Sequence, residues 1–476
     1  MLGGIRMLWL KGSLRAAGIL ALSVVMATTF AVSPSAAGDI NSIGMSVKNL
    51  DEAPAGYRNL LQNQYVPPQL DQEVFDNLWR TWETDLKKKA ESASAAERRE
   101  MTLTRYGLTE APGRIGGIPL QYADDGKGGW VLNCFACHGG KVAGQVIPGL
   151  PNTHIALETL FQEIFETKRI LKRQIPSSEA SSLVVPLGKS NGTTNAIIFG
   201  VVLGAYRDKD LNVHPEYPTP KMLHHDHDAP PWWHVKRKSY LYADGFAGKG
   251  HRALMQFMMT PENGPEVFHK SEEGFKDIYA WIETLEPPKY PFDIDQSLAA
   301  VGKTLFNKNC AECHGTYGDG TAFPQKIVPI DVVDTDRARL DSLTPEMRHS
   351  YELSWFSNHG EKKAVDNPGG YVAQPLDGIW ASAPYLHNGS VPTLYDLFYP
   401  DQRPLVWKRT ENGYDQAKIG LEVTRYDAVP ADVKGGKAKR TYYDSKLFGK
   451  SVAGHTFPDA LNDEEKRAVM EYLKTL

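Results

Sequence analysis

Apolar positions along this chain recur mainly at helical spacing. In "DQEVFDNLWRTWETDLKKKAESASAAERREMTL", Phe75, Leu78, Trp79, Trp82 and Leu86 share one helical face. They predict a helical lead-in to about residue 104 whose aromatic stripe packs a core. A second helix is expected at "HIALETLFQEIFETKRILKR". Phe275, Ile278, Ile282 and Leu285 form one face of another, which the proline-rich exit "EPPKYP" stops. Ala299, Gly302 and Phe306 line a face of "IDQSLAAVGKTLFNKN". The chain closes on "LNDEEKRAVMEYLKTL", with Asn462 as cap and acids in the first turn. Long irregular stretches punctuated by Gly and Pro separate these segments, so the expected fold is mainly α.

One apolar run has no such period. "AAGILALSVVMATTFAV", 17 residues long, follows Arg6, Lys11 and Arg15 with no acid among them. "SPSAAGD" then places small residues at the −3 and −1 positions of a cut after Ala37. Residues 1–37 therefore read as a secretory signal peptide, and the mature chain as periplasmic or secreted. An uncleaved anchor is the alternative, since 17 residues lie at the short end of a bilayer span. No later segment approaches that length, so no stable membrane span is expected after cleavage. The formal net charge is −4 and becomes more acidic when those three basic residues are removed. That balance disfavours nucleic acid as a partner, which calls for a basic footprint.

All four cysteines lie in two short motifs, "NCFACHGG" at 133–140 and "NCAECHGT" at 309–316. Two disulfides would leave the adjacent histidines unexplained, and a two-residue spacing closes a strained, tiny loop. Zinc would need further Cys or well-spaced His partners, which neither pair has nearby. C-x-x-C-H instead suits two covalently attached haem c groups. Cys134 and Cys137, and Cys310 and Cys313, would form the thioether links, with His138 and His314 as proximal iron ligands.

Placed on the helical pattern, the motifs organise the chain. Residues 38–106 form an extended lead-in and helix, 107–287 an N-terminal haem domain, and 288–476 a C-terminal one. Both are expected as tandem class I cytochrome c-like domains, in which the first and last helices cross and hold the haem.

The sixth ligand decides whether an iron only passes electrons or meets peroxide or oxygen. For the second haem, Met347 sits in a polar segment and Met470 inside the terminal helix. Better placed is "LDGIWASAPYLHNGSVPTLYDLF", residues 376–398, with Tyr385 and His387 in a turn-rich loop; a structural His and a core Tyr is the plainer reading. For the first haem no clear ligand emerges among His154, His224, His225, His227, His234 and His251. The "HHDHD" run reads as an exposed polar loop more readily than as a metal site. Glu158 and Glu163 lie on the helix after the first motif, where acids are usually solvated.

The 380–392 loop resembles the "PY-[LF]-H-[ND]-G-S" stretch of the diheme cytochrome c peroxidase and MauG superfamily. With "DAPPWWHVKRKSYLYADGFAGKGHRALMQFMM", it is most similar to the rubber-oxygenase branch of exported diheme c-type cytochromes. The resemblance covers roughly 107–476. It implies a reactive N-terminal haem with an open or exchangeable distal face, and a C-terminal haem clamped by His314 and His387, with Tyr385 as the MauG-like alternative. It also implies an aromatic relay between the haems at Trp232 or Trp233, with Trp233 carried forward here, and Phe246 as a distal shield. Members often bind calcium between the haems, although no acidic loop marks such a site in this sequence. Lys236, Arg237 and Lys238 pair with haem propionates or form a basic surface run. No residue stands out as the distal Glu of the peroxidases.

The expected function is a peroxidase-like oxidoreductase fed by a small electron-donor cytochrome or cupredoxin. Alternatives are a haem-dependent dioxygenase of the rubber-oxygenase type and a non-enzymatic diheme electron carrier.

Overall fold

In the computed structural model, residues 50–175, 187–221, 223–318 and 320–476 are described. The signal segment expected over 1–37 lies outside them. The helices that position the site are α1 (Ala55–Gln62), α2 (Ala95–Tyr106), α3 (Leu157–Ile170), α4 (Ala196–Ala205), α5 (Pro265–Thr284), α6 (Gln296–Asn309) and α7 (Asp463–Leu473). Helix exceeds strand, 41% against 14%, in keeping with the mainly α expectation.

The helix ends follow from local chemistry. α2 opens on a capping box, with the Ser94 hydroxyl accepting from the Glu97 amide and the Glu97 carboxylate accepting from the Ser94 amide. It stops at Gly107 with φ +65°, where a Cβ would meet the His154 backbone at 2.3 Å, so only glycine fits. α7 begins with the expected Asn462 cap, which accepts from the Glu464 and Glu465 amides. The lead-in is helical but broken, with a helix over Gln72–Asn77, a 3-10 turn and a second helix over Thr84–Ser92 before α2. Its stripe is core as expected. Phe75, Leu78 and Trp82 are buried, and Phe75 packs against Trp130 at 5.2 Å.

α6 and α7 cross at Gly302, where an added Cβ would lie 1.9 Å from the Ala468 carbonyl oxygen; Phe306 packs on Tyr472 beside it. The same device recurs earlier. α1 crosses α5 at Gly56, where a Cβ would meet the Asp277 oxygen at 2.5 Å, and Tyr57 packs on Trp281. α6 runs straight into the second motif. α1 reaches the first motif through space instead, since the Asn133 amide donates to the Leu60 carbonyl at 3.0 Å. The segment expected as a lead-in thus supplies a helix of this earlier crossing, and residues 63–132 lie between it and the first motif.

That stretch carries a small antiparallel sheet in which β3 (Gly129–Leu132) lies between β1 (Leu70–Asp71) and β2 (Tyr122–Asp124). A second antiparallel sheet, not anticipated from the sequence, has β4 (Val406–Asp415) flanked by β5 (Gly420–Tyr426) and β6 (Tyr442–Asp444). The described residues form one compact unit, and one apolar core cluster includes Phe135, Trp233, Trp281, Phe306, Trp380 and Leu473. The 107–287 and 288–476 segments therefore share a core. Among the described residues, no helix is long and apolar enough to cross a membrane.

Candidate functional site

Both C-x-x-C-H motifs are single helical turns, Phe135–His138 and Ala311–His314. Around the first, the Asn133 side chain accepts from the Phe135 amide, and the Asn152 amide donates to the Ala136 carbonyl at 3.0 Å. Its cysteines are unpaired, and burial pushes their thiols up, to about 11 for Cys134 and about 12 for Cys137. Thiols held protonated in this way are poor nucleophiles. Cys310, also unpaired, is pushed up to about 11 by burial.

The proximal histidines are buried and uncharged. Burial lowers His138 to about 4, with the Pro230 carbonyl opposing. Its ring lies 4.9 Å from the Trp232 ring at 30°. His314 is likewise lowered by burial, and its Nδ1–H donates to the Gln374 carbonyl at 2.8 Å. A carbonyl only accepts, so this bond fixes the tautomer and leaves Nε2 as a lone-pair donor, the arrangement an iron-ligating imidazole needs.

Both motifs line one cavity of about 1590 Å³. Small-ligand pockets run to roughly 300–1,000 Å³, so this volume suits more than one such group. The cavity wall is largely apolar and includes Leu157, Phe161, Leu203, Leu254, Ile278 and Ile282. Near the second motif, a histidine that sequence reasoning missed takes a telling position. His455 lies with its ring centre 6.1 Å from that of His314. Two metal–nitrogen bonds of about 2.0–2.1 Å, plus about 1 Å to each ring centre, put imidazoles on opposite sides of one ion about 6 Å apart. His455 is lowered to about 3 by burial, and its buried Nδ1 has no partner. Gly454, with φ +81° and packed against the Asp334 backbone, and the bond from the His455 amide to the Val333 carbonyl hold it there.

His387 also lines the cavity, but its ring packs on Tyr371 at 4.2 Å and faces His227 at 6.3 Å. The ring beside His314 is thus His455, whereas His387 has Tyr371 and His227 as ring neighbours. Tyr385 is buried and donates to the Ile379 carbonyl at 3.0 Å. Trp232 lines the cavity, and Trp233 is fully buried in the core. Trp232 touches His138, while Trp233 Nε1 and His234 Nε2 donate to the Asp377 carbonyl at 2.7 and 2.9 Å. Asp377 is three residues after Gln374, the acceptor for His314. Phe246, expected as a distal shield, packs on Tyr351 at 4.5 Å in a satellite cluster and is not among the cavity-lining residues.

The remaining candidates move too. His225, Asp226 and His227 are buried rather than in an exposed loop, because Asp226 pairs with the buried Lys450 at 2.8 Å. His227 Nε2 and His225 Nε2 are 2.8 Å apart. His154 bonds the Thr410 carbonyl, and His251 bonds Glu272. Glu163 is buried, holding Arg105 at 2.7 Å and Lys437 at 3.2 Å, and Glu158 accepts from the Leu187 amide. Neither acid lines the cavity; Asp228 does. Burial raises the Asp228 carboxyl well above its usual range, and its Oδ1 has no partner. Among the described residues, no group of three or more His, Cys, Asp or Glu is arranged around a metal position.

Comparison with known proteins bears on the C-terminal part. A cytochrome c family model matches residues 299–386, and a model described as RoxA-like, cytochrome c-like matches 370–408. Two uncharacterized Sinorhizobium fredii (strain NBRC 101917 / NGR234) proteins are similar. y4iM is 29% identical over 305 residues, covering 55% of this chain and 66% of y4iM. y4iJ is 29% identical over 258 residues, covering 40% of this chain and 41% of y4iJ. The chain thus matches less than two thirds of the length of either. Cys310 and Cys313 fit the attachment motif of a covalently bound haem c. The C-terminal part of this chain contains a cytochrome c domain, which the stretch similar to the RoxA-like model overlaps and extends.

Proposed function

We propose that this chain is an exported diheme c-type oxidoreductase that uses oxygen to cleave an apolar, unsaturated substrate in the cavity beside its first motif. The observation that carries this reading is the pairing of two C-x-x-C-H turns in one largely apolar cavity. The repeated glycine crossings, α1 on α5 and α6 on α7, support two cytochrome c-like units, the first beginning at α1. Haem, once attached at both motifs, supplies the redox-active irons this chemistry needs.

The chain's own residues set the asymmetry. His138 and His314 would hold the two irons, with His455 as a second ligand beside His314. Leu203 and Leu254, on the cavity wall, would help exclude water. Trp232, against His138, and Trp233, bonded to the Asp377 carbonyl, would carry electrons between the two motifs. A small electron-donor protein serves the second haem.

Peroxidase action is the second reading, and Asp228 favours it. An uncharged carboxyl on the cavity wall could move a proton between peroxide oxygens, the role expected of a distal Glu. The experiment gives the loaded protein either an olefin in air or peroxide with a reduced small cytochrome. Oxygen-dependent conversion of a C=C bond into two carbonyls is expected. Peroxide consumption with no olefin product would favour the Asp228 reading instead.

A further inference from the structure

A charged cluster that the haem motifs do not account for reaches the cavity wall through Arg339 and Lys238. Asp244 is fully buried and accepts from Arg339 Nε at 3.1 Å, from Arg339 Nη2 at 3.0 Å and from Arg348 Nη2. Burial pushes the Asp244 carboxyl up, but the two guanidinium groups more than offset this and keep it below the usual range. Arg339 is 0% exposed, and its Nη1 is buried without a partner although the residue lines the cavity. Arg348 spends its other amino group on the Val365 carbonyl at 3.2 Å. Lys238, also buried and cavity-lining, donates to the Gln374 side chain at 2.8 Å. Burial lowers it to about 8, with Asp244 opposing.

Arg339, Arg348 and Lys238 gather around Asp244, and Asp336 is a further carboxylate acting on the same surroundings. What stays unmet is a donor, Arg339 Nη1. His225, His227 and His387 are held uncharged by burial. Tyr242 and Tyr371 are buried hydroxyls. Asp336 spends its carboxylate on the Ala338 and Ser451 amides at 2.8 and 3.0 Å. An unmatched guanidinium donor in an apolar interior is costly unless a carboxylate or phosphate meets it, and Arg presents a fork suited to carboxylate.

We propose that Asp244, Arg339, Arg348 and Lys238 form a carboxylate-binding site that opens into the cavity and holds the propionates of a tethered haem. This rests on the two-haem reading above. Asp244 is a positioning residue that sets the Arg339 fork, and Arg339 Nη1 and Lys238 Nζ are the contacts. Two donors on the cavity wall, Arg339 Nη1 and Lys238 Nζ, suit the two carboxylates of one haem.

The test uses the full-length, haem-loaded protein. Arg339→Gln should shift the propionate bending band of one haem in the resonance Raman spectrum. It should also lower that haem's midpoint potential, since removing a positive charge beside it favours the ferric state. Arg339→Lys should restore the potential while leaving the band shifted, because ammonium keeps the charge and loses the fork. If Arg339→Gln yields no folded protein, Arg339→Lys alone decides by the band. Loaded variants with wild-type bands and potentials would overturn the assignment. So would a spectral response to added laurate that is at least tenfold weaker in Arg339→Gln while the propionate bands stay fixed, which would make the site one for free carboxylates. Protein of full length with no haem by mass would overturn the two-haem reading itself, whereas loaded protein with unmoved bands would overturn only the Arg339 assignment.

Discussion

Replacing Gly302 by Ala tests the helix crossing that presents the second motif. A methyl at this position would sit 1.9 Å from the Ala468 oxygen, 2.5 Å from the Ala468 carbon and 2.9 Å from Tyr472 Cβ. Ordinary contact begins at 3.4 Å, so α6 and α7 must part by about 1.5 Å, against backbone that cannot rotate away. Overpacking of this kind costs about 3 kcal/mol, and alanine returns about 1 kcal/mol through its better helix propensity. The net loss is about 2 kcal/mol, or roughly 4–8 °C in melting temperature at 2–4 °C per kcal/mol. Because α6 leads directly into Cys310, haem attachment at the second motif should fall as well. Circular dichroism melts and intact mass read both effects, with Val301→Ala on the exposed face as a control expected within about 0.5 kcal/mol of wild type. A Gly302→Ala protein that melts within about 1 °C of wild type and keeps full attachment would refute the reasoning.

Other outcomes follow from the site. His455→Ala should convert one haem from low-spin to high-spin by electron paramagnetic resonance, while His387→Ala should leave the spectrum unchanged; the reverse pattern would restore His387 as the ligand. Burial lowers His154 and His225 to about 4 and His234 to about 3, below the ordinary value of about 6.5. Between those values the unfolded chain takes up protons that the folded one excludes. Stability should therefore be full above about pH 6.5 and fall by roughly 1 kcal/mol per unit per histidine toward pH 4; denaturant midpoints that do not drop between pH 7.5 and 5 would contradict this. Glu163→Gln removes the partner of Arg105 and Lys437 and should destabilise by about 3–5 kcal/mol. The folded fraction should keep its turnover per haem, whereas lost turnover would make Glu163 catalytic.

What was legible in the sequence was local. The C-x-x-C-H turns, the Asn462 cap, the face of Phe275, Ile278 and Ile282, and the Ala299–Gly302–Phe306 face each show within a few residues. What was hidden depends on contacts between distant segments. Gly56 reads as an ordinary glycine until α5, more than two hundred residues later, crosses it. His455 has no motif around it, and only its approach to His314 gives it a role. The "HHDHD" run is polar enough to predict exposure, but Lys450 supplies the charge that lets Asp226 be buried. Phe246 lies within the family-like segment, yet its ring packs on Tyr351 and is not among the cavity-lining residues. The β4–β5–β6 sheet mixes charged and aromatic residues, so no clean alternation announced it.

The central claim is that two haems are tethered in one cavity and capped unequally. Intact mass of the purified mature chain, with haem quantified on the same sample, tests it most directly. Two haem additions per polypeptide are predicted, both lost only when cysteines of both motifs are replaced. One addition, at Cys310 and Cys313 alone, or none would contradict it.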